Sequence, residues 1–121
     1  MAKHHLLGNR GEALASQYLE TLGYEILDRN WTFQKAEIDI IVYKDQQIVF
    51  VEVKTRSGNA FGQPEDFVNA AKQKTMERAA EEYIYLMNHK GEIRFDIISI
   101  LFETSDKHIL RHIEDAFWPR A

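Results

Sequence analysis

Apolar and polar positions change their period several times along this chain of 121 residues. Over residues 9–22 the apolar positions Leu14, Ala15, Tyr18, Leu19 and Leu22 recur at helical spacing, and Gly23 ends the pattern. Residues 24–31 are short and rich in strand formers (Tyr24, Ile26, Trp31). The clearest strand patterns cover residues 37–43 and 47–55, separated by the polar turn Lys44-Asp45-Gln46. Gly58 and Gly62 mark a loop. Pro64, with Glu65 and Asp66 behind it, reads as the start of a helix reaching Met87. Its apolar stripe would be Val68, Ala71, Thr75, Ala79, Tyr83 and Leu86. After Gly91, residues 93–102 and 109–113 predict two more strands. The order α-β-β-β-α-β-β describes an α/β domain with a mixed central sheet flanked by helices.

A mass of 14.2 kDa fits one domain over residues 1–121. The hydrophobic fraction of 45% and charged fraction of 28% are ordinary for a globular chain, and 6 Gly with 2 Pro leave no room for long low-complexity tracts. The absence of Cys removes disulfides, thiolate zinc sites, iron–sulfur clusters and cysteine nucleophiles together. The longest apolar runs, residues 40–43 and 48–51, fall far short of the ~18 needed to span a membrane. The start lacks the apolar run of a secretory signal, so the expectation is a cytoplasmic protein with no membrane partner. A net charge of −4 argues against a general nucleic-acid binder. The charge is unevenly spread, however: residues 53–80 carry +2 between flanks of −3 each.

The chemistry concentrates on the two central strands. Side chains at i and i+2 share a face of a strand. Ile38, Ile40 and Val42 are therefore expected on one face, with Glu37 and Asp39 on the other. On the next strand Val49, Val51 and Val53 oppose Ile48, Phe50, Glu52 and Lys54. A two-residue loop at Asp45-Gln46 pairs Tyr43 with Ile48 and, by continuation, Asp39 with Glu52 and Glu37 with Lys54. Opposed Cβ atoms lie only ~4.5–5.5 Å apart. Two such carboxylates repel unless a proton or a cation lies between them, and one lysine is too little for three acids. A hard divalent ion fits: Mg²⁺, with Mn²⁺ as the alternative, takes oxygen ligands and keeps several waters. Lys54, two residues from Glu52 and on its face, would orient an attacking water and stabilise charge developing on a phosphoryl oxygen. Glu12 lies seven residues before Leu19, almost two helical turns, and is expected to point toward the sheet. The plain alternative is a salt-bridge ladder, Glu37 with Lys54, in a purely structural ion-pair core. Ile48 and Phe50 on the charged face argue against a simply solvated one.

Asp39, followed after twelve residues by Glu52-Val53-Lys54, resembles the PD-(D/E)xK nuclease signature, with Ile38 where the motif has proline. A wider set of residues is more specific. Gly8-Asn9-Arg10-Gly11-Glu12, Ala15, Tyr18-Leu19, Gly23-Tyr24, Arg29-Asn30, Glu37-Ile38-Asp39-Ile40-Ile41 and Val51-Glu52-Val53-Lys54-Thr55-Arg56 together resemble the YraN-like family of bacterial proteins. That family is similar in fold to Holliday-junction resolvases and type II restriction endonucleases. The resemblance implies a restriction-endonuclease-like core, with Asp39 and Glu52 as metal ligands, Lys54 as the catalytic lysine and Glu12 as the helix-borne acid. It further implies that a polar residue of the second helix, Lys72 or Gln73, faces the active site, and that two copies act together as a homodimer.

Arg10 and Arg56 suit phosphate contact, since Arg is the usual bidentate partner, and Lys74 joins Lys72 and Gln73 in the expected nucleic-acid surface. Residues 58–62 read as a substrate loop or a connector. His108 and His112 are four apart, but in a strand without a nearby acid they make a poor zinc pair; His4 and His5 fall in a terminus expected to fray. Phe117, Trp118 and Pro119 either dock on the core or present an apolar patch. Two functional readings follow. One is a metal-dependent endonuclease hydrolysing DNA, with branched or structured DNA as substrate. The other is a non-catalytic nucleic-acid-binding or scaffold module that keeps the nuclease fold.

Overall fold

The turn at Asp45-Gln46 sets the frame of the molecule. Both residues are left-handed (φ 53° and 66°), so the turn is of the primed kind whose twist matches that of paired strands. It joins β2 (Ala36–Lys44) to β3 (Gln47–Ser57) in the expected register, from Lys44 opposite Gln47 to Ile40 opposite Val51. The computed structural model describes residues 2–58 and 68–117, with side chains from Leu7 onward. β1 (Glu25–Phe33) lies antiparallel to β2 on its outer side, and α1 (Ala2–Thr21) precedes it. α2 (Ala70–Met87) then carries the chain over the sheet to β4 (Glu92–Phe102), parallel to β3, and β5 (His108–Ile113) closes the sheet antiparallel to β4. Parallel neighbours need such a crossover, because a tight hairpin can join only antiparallel strands. The sheet is five-stranded and mixed, in the order β1-β2-β3-β4-β5, and the element order is the one the sequence predicts.

Among the described residues each sheet face is covered by one helix. Ala15 and Leu19 of α1 pack on Ile40, Val42, Val49, Val51, Ile98 and Ile100. Met76, Ala79, Ala80 and Tyr83 of α2 pack on Ile41, Ile48, Phe50, Phe95 and Ile97. The central strands are thus apolar on both faces, as expected of strands between two layers. No helix of the described residues is long and apolar enough to cross a membrane.

Several local expectations need correction. α1 begins at Ala2 rather than near residue 9, so the backbone of His4 and His5 is helical. The strands extend a residue or two past the expected ends, to Phe33 in β1 and Ser57 in β3. α2 starts at Ala70, capped by the extended Asn69, whose side chain accepts the Lys72 N–H at 2.9 Å; Glu65, Asp66 and Pro64 lie outside the described residues. Its buried stripe runs through Met76, Ala79, Ala80 and Tyr83, leaving Ala71 and Thr75 on an open side and Leu86 61% exposed. Ala and Thr fit either face of a helix, so the larger Met76 and Tyr83 decide its rotation. Phe117 docks on the core, its ring stacked on Phe95 at 5.3 Å, whereas residues 59–62, Trp118 and Pro119 lie outside the described residues.

Candidate active site

β2 and β3 stop pairing after Ile40 and Val51. In a continued hairpin the Val53 N–H would donate to the Ile38 carbonyl. It donates instead to Asp39 Oδ2 at 2.8 Å. The side chain has replaced a ladder bond, and the alternation of faces breaks at this residue: Ile40 and Val42 lie on the α1 side while Ile38 joins the α2 side. The expected backbone pairings of Asp39 with Glu52 and of Glu37 with Lys54 are therefore absent from the ladder. The carboxylates of Asp39 and Glu52 nevertheless meet, at 8% and 2% exposure. Burial first and the Glu52 charge second push the Asp39 carboxyl up to about 8, against the pull of the Val53 N–H; contact with Glu52 and the charge of Glu12 add to the rise.

Two ammonium groups converge on the same oxygen of Glu52. Lys54 approaches Oε2 at 3.3 Å from two residues along β3, and Lys72 reaches Oε2 from the first turn of α2. The Asn69 cap fixes that turn by holding the Lys72 N–H. Burial works to lower the Lys72 ammonium, but the bond to Glu52 and its charge prevail and leave it raised. Glu52 Oε1, by contrast, is buried with no hydrogen-bond partner among the described residues. A buried anionic oxygen without a partner costs more than ~1–3 kcal/mol unless something binds it.

Asp96, the other deeply buried acid among the described residues, shows the difference. Its oxygens take His112 Nε2 at 2.7 Å, Arg94 Nε and Nη2 at 2.8 Å each, and the Asp115 N–H at 3.0 Å. Burial pushes this carboxyl up, yet the His112, Arg94 and Asp115 bonds outweigh it and hold it below the ordinary range. Tyr18 OH, bonded to His112 Nδ1 at 2.9 Å, closes the network onto α1. Asp96 is satisfied by protein; Glu52 is half satisfied.

Glu12 is delivered by a close approach of α1 to β3. A Cβ on Gly11 would overlap Thr55 Oγ1, so glycine there lets the helix sit down on the strand. Asn30 Nδ2 then holds Glu12 Oε1 at 3.0 Å. Asn30 adopts a left-handed φ of 52° inside β1, a conformation asparagine tolerates better than most residues. Glu12 is in electrostatic range of Asp39, but no three His, Asp or Glu side chains of the described residues gather into a ready-made ion cage. The pair Asp39–Glu52 alone still suits Mg²⁺, which is commonly bound through one or two carboxylates plus waters and substrate phosphates.

The expected phosphate contacts fare differently. Lys72 is in the site and Lys74 is exposed on α2 outside it. The Gln73 side chain caps the Val68 carbonyl at 3.1 Å, and Arg56 Nη1 donates to its neighbour Thr55 O at 3.1 Å. Arg10 is turned to the loop between β4 and β5, donating to Ser105 O at 2.9 Å with its guanidinium 4.5 Å from the Phe102 ring centre. His108 packs against Phe102 and His112 belongs to the Asp96 network, so the two do not form a pair. Asn30 and Asn69, which position Glu12 and Lys72, were not anticipated. In the sequence Asn30 appears only as part of the Arg29-Asn30 family resemblance, and Asn69 falls inside the helix expected from Pro64.

A model of the uncharacterised protein family UPF0102 matches residues 11–100, which contain Glu12, Asp39, Glu52, Lys54 and Lys72. UPF0102 protein FP2501 of Flavobacterium psychrophilum is 50% identical over 118 residues, covering 98% of each chain. A UPF0102 protein of Bacteroides thetaiotaomicron is 44% identical over 98% of each chain, and one of Alkaliphilus oremlandii 45% identical over 92% of this chain and 97% of its own. The chain belongs to the UPF0102 family, the YraN-like proteins whose motifs it carries.

Proposed function

We propose that this protein is a metal-dependent endonuclease that hydrolyses phosphodiester bonds of DNA, branched or otherwise structured DNA being the expected substrate. The observation that carries the reading is Glu52 Oε1, a buried carboxylate oxygen with no hydrogen-bond partner among the described residues, set beside the raised Asp39 carboxyl. Asp39 and Glu52 would hold Mg²⁺ or Mn²⁺, with Glu12 in support. Such an ion, when bound, acidifies a coordinated water and neutralises charge on a phosphoryl oxygen. Lys54, 18% exposed and 3.3 Å from Glu52 Oε2, would orient the attacking water and stabilise the oxygen charge that develops. Asn30 holds Glu12 within electrostatic range of Asp39, and Lys72 is at hand for a substrate phosphate. We further propose a cytoplasmic location and action as a pair of copies.

The Lys72–Glu52 bond favours a second reading, a nucleic-acid-binding module whose site is closed by its own lysine. Incubation with junction, flap, single-stranded and duplex DNA in Mg²⁺ or Mn²⁺ separates the two. The nuclease reading expects metal-dependent product that Lys54→Ala abolishes. No product on any substrate, or equal cleavage by Lys54→Ala, selects the binding module.

A further inference from the structure

The site does not end at Asp39. A cleft of about 350 Å³ beside it is lined by Lys35, Ala36, Glu37, Asp39, Lys72 and Thr75, among others. A second cleft of about 330 Å³, lined by Phe33, Gln34, Lys35, Ala36, Thr75 and Arg78, shares three of those residues and so continues the first. The result is one groove between the β1–β2 turn and the open side of α2. Its near end contains acids. Lys35, which lines both clefts, and Arg78 supply the cations of its far end, where the described residues include no acid.

Among the described residues neither of these two cations is in an ion pair. Arg78 has Glu81 and Glu82 three and four residues on, at helical spacing suited to ion pairs, and it makes no ion pair among the described residues. Lys35 stands at the tip of the β1–β2 turn, next to the left-handed Gln34 (φ 57°), and is likewise unpaired. Lys72, Thr75 and Arg78 step along one side of α2 at intervals of three, a span of ~9 Å at ~1.5 Å per residue. A stretch of that length holds about two consecutive phosphates of a nucleic-acid strand, one for each of the two cations.

We propose that this groove is the track for the sugar–phosphate backbone of the nucleic-acid strand that enters the Asp39–Glu52 site, with Lys35 and Arg78 as its far phosphate contacts. The proposal rests on the nuclease reading for its direction but not for its measurement. It also explains how an acidic chain holds a polyanion: the attraction is local to one groove.

The test is fluorescence anisotropy with a labelled 12-nucleotide single strand, as DNA and as RNA, and an acidic peptide of equal charge, across a salt series in Ca²⁺. Lys35→Glu/Arg78→Glu is compared with Lys90→Glu/Lys107→Glu, which makes the same charge change elsewhere on the surface; Lys35→Gln/Arg78→Gln is the milder variant should the first fold poorly. The groove variant is expected to bind the strand at least tenfold more weakly and to flatten the slope of log K against log salt by roughly 1.5, at ~0.7 per lost phosphate contact. The control should keep the wild-type slope. Equal effects of the two double variants, an unchanged groove variant, no binding by wild type, or the peptide binding as well as the strands would overturn the track. Mn²⁺ binding by Lys35→Gln/Arg78→Gln, measured separately, should persist, since neither side chain is a proposed ligand. If wild type cleaves DNA while the groove variant binds normally, the track falls alone; if the groove variant loses strand binding while wild type binds no metal, the nuclease reading falls alone.

Discussion

Lys72, in the first turn of α2, is bonded to Glu52 on β3 and so places a second protein cation, beside Lys54, on the carboxylate that faces Asp39. A divalent ion entering the site competes with that ammonium. Lys72→Met should therefore bind Mn²⁺ about fivefold more tightly than wild type, the ~1 kcal/mol expected of a half-exposed ion pair. The metal-free variant should in turn be less stable. Isothermal titration and urea unfolding without metal check the two halves; weaker Mn²⁺ binding in Lys72→Met would reverse the assignment.

The close approach of Gly11 to Thr55 makes a second prediction. Gly11→Ala forces a Cβ onto Thr55 Oγ1 and to 3.2 Å from Thr55 Cβ. Overpacking of this kind costs ~1–3 kcal/mol. Thr55→Ala removes the hydroxyl and methyl, so the double variant should regain most of the lost stability, read as a shift in urea midpoint. If the two losses simply add, the helix does not meet the strand there.

At the β2–β3 turn, Gln46 holds a φ of 66° that costs an ordinary side chain ~1–2 kcal/mol. Gln46→Gly relieves this, less the greater freedom glycine has when unfolded. The net expectation is a gain of ~0.5–1 kcal/mol in thermal or urea unfolding. Destabilisation would mean that the turn is not left-handed at this position.

The Asp96 network predicts acid sensitivity. A carboxyl whose pKa is lower folded than unfolded contributes stability that is full above its unfolded value, ~3.9, and is lost as pH falls through the lower folded value. Asp96→Asn should flatten the stability profile below about pH 4. At neutral pH it should cost about 1.5–3 kcal/mol, the range for hydrogen bonds to charged groups. Unfolding curves between pH 2 and 7 test both; a variant with the wild-type acid slope would assign the sensitivity elsewhere.

Most of the fold was legible because it rests on periodicity. Alternating strands about a short polar turn gave the hairpin, and the register followed from loop length alone, although Asp45-Gln46 is a poor match for a primed turn. That the carboxylates of Asp39 and Glu52 meet was legible for the same reason, but the backbone pairing expected to bring them together does not form. No pattern of apolar residues reveals that a side chain will replace the Ile38 carbonyl as acceptor for Val53. The rotation of α2 was misread because Ala71 and Thr75 are small enough for either face. Glu12 could be aimed from helical spacing, whereas its partner Asn30 lies eighteen residues away on another element. Contacts that depend on where two elements cross are written in three dimensions before they can be read in one.

Whether Asp39 and Glu52 together hold a divalent cation is decided by Mn²⁺ binding, followed by loss of the free-ion paramagnetic resonance signal. Wild type should bind saturably. Asp39→Asn and Glu52→Gln, with fold verified by circular dichroism, should each weaken binding at least tenfold, as loss of a direct carboxylate ligand requires. Identical Mn²⁺ isotherms for wild type and both variants would contradict the account.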